Sequence, residues 1–224
     1  VKENLFTKHP YRWAPIGSME HLDAATLEEF QAFNKKFYIP NNAVLVVAGD
    51  IDPAQTIKWI NKYFGSIPKG PAVKKQTFVE EPITKQINAT WEDPNIQLPM
   101  VVQAYRTPSM KTRDAKVLDM ISTILSDGKS SRLYKKMVDE KKMALQIGAF
   151  NNSQEDYGMY LIYGIPMGQT TSATLTSEID EEIKKMQTEL ISERDFQKLQ
   201  NVYENQYVNS NTSIEGIAEN LASY

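Results

Sequence analysis

Apolar residues recur along this chain in two rhythms, and the change-over falls near residue 70. Leu27, Phe30, Phe33 and Phe37 follow one another at three- and four-residue spacing, which predicts a helix with one buried stripe. Thr26 and Glu29 stand three apart at its start, the spacing of a capping box in which hydroxyl and carboxylate each satisfy an exposed backbone N–H. The helix should stop near Tyr38, because the residue before Pro40 is pushed towards extended conformations. Ala43-Val44-Leu45-Val46-Val47-Ala48 is a continuous apolar run, as expected of a strand covered on both faces. Asp52-Pro53 opens a second helix with Ile57, Ile60 and Phe64 on one face and Gly65 as its stop.

Breakers then crowd together, with Pro68, Gly70 and Pro71 between Ser66 and Lys75, and this stretch reads as a linker. Beyond it the period shortens. Thr84 to Trp91 alternates polar with apolar and Met100 to Tyr105 is mostly apolar, so both are expected to be strands. Val117, Met120, Ile121, Ile124 and Leu125 mark a helix ending near Gly128, and Ser130 to Lys141 a second one with Leu133 and Met137 turned inward. Two strands should follow, Ala144 to Phe150 and Met159 to Ile165, joined by a polar hairpin. The last third is helical: Leu175 to Leu190, a capped start at Ser192 with Asp195, and a final helix from Ile214 that is cut short at Tyr224. The class is α+β, divided as 1–70, a linker at 71–83, and 84–224.

Composition removes several function classes. With 41% hydrophobic and 24% charged residues and a net charge of −3, the chain can bury a core and is not disordered. Mixed charge and an acidic balance exclude a general nucleic-acid binder. No apolar run approaches the roughly 20 residues of a membrane-spanning helix. There is no cysteine, so thiol catalysis, disulfides and thiolate metal sites are out. The chain of 224 residues begins with Val1, without a leader pattern, and reads as a piece of something longer.

Candidate chemistry is sparse. There are two histidines, His9 and His21. Gly17-Ser18-Met19-Glu20-His21 approaches the zinc motif HxxEH, but Gly17 stands where the first imidazole belongs, so His21 reads as a polar loop residue. Asp50 and Asp52 lie at a strand end where some enzymes bind metal; without a histidine cluster, a capping role for Asp52 is the better reading. No glycine pattern fits a phosphate loop, and no GxSxG elbow frames a serine. Lys135, Lys136, Lys141 and Lys142 read as a solvated basic face, and the pairs Glu80-Glu81 and Glu181-Glu182 as surface charge.

The ordered series His9-Pro10-Tyr11-Arg12-Trp13, Pro15-Ile16-Gly17, Tyr38-Ile39-Pro40-Asn41-Asn42-Ala43, Val46 to Asp52 and Tyr63 to Pro68 resembles a segment of the pitrilysin/insulinase family of zinc peptidases. Leu125-Ser126-Asp127-Gly128-Lys129-Ser130-Ser131-Arg132-Leu133-Tyr134 resembles that family's helix-pair segment, so the likeness covers nearly the whole chain. The resemblance implies two similar α+β domains enclosing a peptide chamber. Residues 1–70 would be the back part of the first, zinc-type domain, and 84–224 the second, non-catalytic one. Zinc belongs to the intact parent, on an upstream HxxEH and a distal glutamate, so no catalytic or metal residue is expected in this chain. The family's substrate-binding arginine and tyrosine, seven residues apart, align with Val138 and Leu145, neither of which has a side-chain donor. The implied partners are a peptide or unfolded protein substrate and another family half, as homo- or heterodimer. The implied setting is a soluble bacterial, periplasmic protein. A competing reading of the same resemblance is a non-catalytic structural subunit.

Overall fold

Three of the expected strands pair, and the sheet they build organises most of what is buried. The computed structural model describes residues 1–223. In chain order its elements are α1 (Lys2–Leu5), a 3-10 turn at Pro10–Arg12, α2 (Met19–Ala24), α3 (Leu27–Phe37), a 3-10 turn at Pro40–Asn42 and α4 (Pro53–Phe64). These are followed by β1 (Val101–Pro108), α5 (Arg113–Ser126), a π-helix (Tyr134–Glu140), β2 (Ala144–Ser153), β3 (Tyr157–Pro166), α6 (Ser172–Thr188), α7 (Glu193–Ser210) and α8 (Ile214–Ser223). Tyr224, where the last helix is expected to be cut short, lies outside the described residues. The chain is α+β, and it divides into two compact units.

The first unit comprises Val1–Trp13 and Val79–Asn201. Its sheet is antiparallel in the order β1-β3-β2, with Tyr105 opposite Tyr160 and Asn151 opposite Tyr160 on the other side. Alternation along the strands gives the sheet two faces. One presents Ile147, Ala149, Tyr160 and Ile162 to Leu125 of α5, Leu133 and Met137 around the π-helix, and Leu175 and Ile179 of α6. Leu133, Met137, Leu175 and Ile179 are all 0% exposed, and burial of each such side chain is worth roughly 1.5–3 kcal/mol. The opposite face is covered in part by the N-terminal segment, where Leu5, Phe6 and Tyr11 pack on Ala104, Tyr157, Met159 and Leu161. On that same face Tyr163 lies across Gly148, where a Cβ would come within 2.6 Å of its ring and force the ring to shift.

The second unit, Ala14–Phe78 and the chain from Val202 on, is built differently. Its helix ends are well made. Thr26 Oγ1 accepts from Glu29 N–H at 3.3 Å while Glu29 accepts from Thr26 N–H at 2.9 Å, the capping box that the spacing predicts. Asp52 Oδ1 accepts from Gln55 N–H at 2.7 Å, so it is a cap. The expected burial does not follow. Leu27, Phe30 and Phe33 are 67%, 58% and 58% exposed, and Val44 in the expected buried strand is 75% exposed. Residues 43–48 here, like 84–91 of the first unit, join no ladder, against expectation. A strand is defined by its neighbours, and among the described residues neither segment has one.

Other differences are local. Residues 130–141, expected to be an ordinary helix, carry a π-helix whose closing bonds include Lys141 N–H to Lys136 O at 2.9 Å. It ends at Lys142 with φ +51°, a left-handed residue other than glycine. His21, expected in a loop, sits on the short α2 capped by Ser18. Gly128, with φ +71°, makes the expected stop after α5.

Candidate functional site

The two positions that align with the family's arginine and tyrosine lie on either side of one tight turn. Val138 belongs to the π-helix, half-buried and packed against the main core. Leu145 is 51% exposed and is the extra residue of a β-bulge, because Ala144 faces Pro166 while Gln146 faces Ile165. Bulges bend a strand and re-aim a side chain, and β2 is an edge of the described sheet. Both side chains are hydrocarbon, so neither offers a hydrogen bond to a ligand there.

Of the basic face expected beside them, Lys135, Lys141 and Lys142 are exposed, but Lys136 is not. Lys136 is 17% exposed at its side chain and reaches Glu178, Glu182 and Glu181 of α6 at 2.9, 3.1 and 3.2 Å. Lys141 also pairs with Glu178, and Lys185 with Glu182 at 2.9 Å. Burial pulls the Lys136 pKa down, but bonds to Glu178, Glu182 and Glu181 outweigh it and the pKa rises. Glu178 is lowered by Lys141 and Lys136. Glu182, only 4% exposed, is pushed up by burial but more strongly down by Lys185 and Lys136. Glu181 stays 58% exposed, as surface charge should, but Glu182 does not: with Glu178 and Lys136 it clamps the π-helix to α6.

A second correction concerns Glu80, which is 7% exposed. Its Oε1 accepts from the backbone N–H of Thr7, Lys8 and His9 at 2.9, 2.7 and 2.7 Å, and Oε2 accepts from the Thr7 hydroxyl at 2.9 Å. Arg106 of β1 completes the shell, donating to Glu80 Oε2 at 3.2 Å, to Leu5 O at 2.9 Å and to Glu81 O. Burial would raise this carboxyl; the His9, Lys8 and Thr7 bonds prevail and bring its pKa to about 2. Successive backbone N–H groups aimed at one anion form a nest. Only one signal in the sequence points here, an arginine directly after a mostly apolar strand run.

The residues present do not fit a zinc ion. His9 is 3% exposed and both ring nitrogens are engaged, Nε2 with Asp156 at 3.3 Å and Nδ1 accepting from Tyr11 N–H at 3.2 Å. His21 stands on exposed α2, and among the described residues no three His, Cys, Asp or Glu side chains gather as a metal site would require. Nor, among the described residues, is any helix long and apolar enough to cross a membrane.

Residues 24–203 match the model of the peptidase M16 inactive domain. The chain belongs to the M16, or pitrilysin, peptidase family. Among the curated proteins it is 27% identical to the zinc protease PqqE of Helicobacter pylori, over 98% of this chain and 50% of that protein. Its fold matches the crystal structure of a protease from Helicobacter pylori with a TM-score of 0.83 and 25% identity, covering 98% of this chain and 54% of that one. An M16 inactive-domain structure from Pseudomonas fluorescens gives a TM-score of 0.77 at 17% identity, over 99% and 52% of the two chains. This M16 chain thus spans about half the length of these relatives. Its relatives are zinc proteases, while its own described residues gather no metal-binding group.

Proposed function

We propose that this chain is the metal-free part of a zinc-dependent M16 metalloendopeptidase and forms wall, not catalytic centre, of its peptide-enclosing chamber. Residues 1–70 are then the C-terminal part of a first, zinc-type domain, 71–83 a linker, and 84–224 a second, non-catalytic domain of similar α+β build. The observation that carries this reading is the uncovered second unit. Amphipathic helices with correct caps, and the apolar segment at 43–48, expose the side chains that should be their core. An unfavourable exposure of that extent calls for a covering sheet, and relatives of twice the length have chain to supply one.

Within the reading, this chain's own residues bind and orient. The free edge of β2 offers backbone groups for strand addition by an extended peptide. Val138 and Leu145 remove the side-chain donors of the family's substrate site, so a partner family half in a homo- or heterodimer supplies them. The substrate class is peptide or unfolded protein, and the periplasmic setting implied by the resemblance belongs to the same proposal.

The deciding experiment is zinc stoichiometry and intact mass of the gene product, captured through this segment. About one zinc on a chain clearly longer than this one, together with peptide cleavage, is the expected result. A longer product that takes up no zinc on reconstitution overturns it. The protein is then an architectural member of the family, the second reading, in which the donors missing at Val138 and Leu145 are lost together with the metal motif.

A further inference from the structure

Residues 1–13 do not fold with the segment that follows them; they lie on the sheet of the first unit. Their hold there is of two kinds. Leu5, Phe6 and Tyr11 cover apolar sheet residues, and Phe6, His9, Tyr11 and Tyr157 form an aromatic cluster with ring centroids 4.1–6.2 Å apart. Apolar packing of this sort tolerates sliding. The bonds to Glu80 do not, because three consecutive N–H groups and a hydroxyl must meet one carboxylate whose other contact is Arg106. That carboxylate comes from more than 70 residues further along the chain, and its backbone N–H is itself held by the Tyr157 hydroxyl at 3.1 Å.

We infer that Glu80 and Arg106 form a latch that fixes the His9-Pro10-Tyr11-Arg12 segment to the second-domain sheet and so sets the position of the chain upstream of it. In the parent this upstream chain is the metal-bearing half, so the inference rests on the reading given above. Glu80 and Arg106 are then positioning residues for proteolysis. The latch is a lock and not a switch. A Glu80 pKa of about 2 keeps the carboxylate ionised throughout the physiological range. Three backbone donors cannot be re-satisfied by a neutral amide, which brings its own N–H groups into a site made of donors.

The test uses the full-length gene product loaded with zinc, with Glu80→Gln and Arg106→Lys variants. The amides of residues 7–9 should exchange roughly ten-fold faster in E80Q, while those of β2 and β3 and the zinc content stay unchanged. Two peptides share one cleavage sequence, a short one that reaches only the metal half and a long one that also lies on the second-domain wall. The variants should lose roughly ten-fold in kcat/KM on the long peptide and keep activity on the short one. A purely structural role for Glu80 moves both peptides together, and that result, or unchanged exchange at residues 7–9, overturns the latch. If E80Q does not fold, R106K carries the same comparison, since it keeps the charge but loses the planar fork. A parent without zinc or cleavage sinks the functional reading and the positioning role with it, whereas the exchange measurement still reports on the contact itself.

Discussion

In the unit made of Val1–Trp13 and Val79–Asn201, helices with an apolar stripe meet a sheet, and Leu133, Met137, Leu175 and Ile179 vanish from solvent. In the unit built on Ala14–Phe78, helices with equally clear stripes meet nothing of the kind. Leu27, Phe30, Phe33, Ile57, Trp59 and Tyr63 are each at least 52% exposed, and Thr56 is the one buried residue of that stretch. Caps, turns and local spacing are as good in the second as in the first. The difference shows that amphipathic patterning specifies a helix and a demand for cover, while the cover itself comes from other parts of the chain. A unit without a core cannot offset the entropy of ordering its residues.

The comparison can be broken at its strong side first. Ile162→Ala, in the 1%-exposed centre of the sheet, should cost about 3–4 kcal/mol in denaturant unfolding. A smaller loss would mean that the sheet core is as loose as the other unit. Lys136→Met strips the clamp between the π-helix and α6 and leaves Glu182 with Lys185 alone; a loss of about 3 kcal/mol is expected, read from the same melts.

Acid gives a third lever. The folded pKa of Glu80, about 2, lies below its ordinary 4.5, so its contribution is complete above about pH 4.5 and is lost as pH falls towards 2. Stability measured across that window should fall less steeply in Glu80→Gln, because the substituted chain has no proton to take up there. An identical slope in both chains would remove Glu80 from the account. Cap substitutions come next: Thr26→Ala and Asp52→Ala should each lower helix content and cost about 1 kcal/mol.

The smallest effect sharpens the contrast most. Phe33→Ala in this chain should change stability by no more than about 0.5 kcal/mol, since the ring is already in solvent. The same substitution in the longer parent should cost about 3 kcal/mol or more, because there the ring is buried in the proposed first domain. Equal, negligible losses in both proteins would mean that the aromatic stripe has no cover anywhere.

Local features were legible in the sequence because their causes are local. The capping box at Thr26 and Glu29, the Asp52 cap, the Gly128 stop and the β2–β3 hairpin all depend on residues a few positions apart, and all are present. The family, too, could be read, since the order and spacing of its motifs survive in a single chain. Burial of charge could not. Glu80 and Glu182 look like surface carboxylates until Thr7, Lys8, His9 and Arg106, or Lys136, arrive from far along the chain. Nothing in the sequence announced the π-helix, or that Leu145 would be the extra residue of a bulge.

What the sequence by itself determined is therefore the α+β class, the positions of the helix ends, the family and the lack of side-chain donors at Val138 and Leu145. Each follows from residue identity or from spacing over a turn or two. Only the tertiary structure decided which stripes are buried, which carboxylates are held in donor nests and clamps, and that the first thirteen residues belong with the three-stranded sheet. Those outcomes turn on contacts between segments as much as 147 residues apart in the chain, and desolvation acts on such contacts once they form, not on the pattern that invites them.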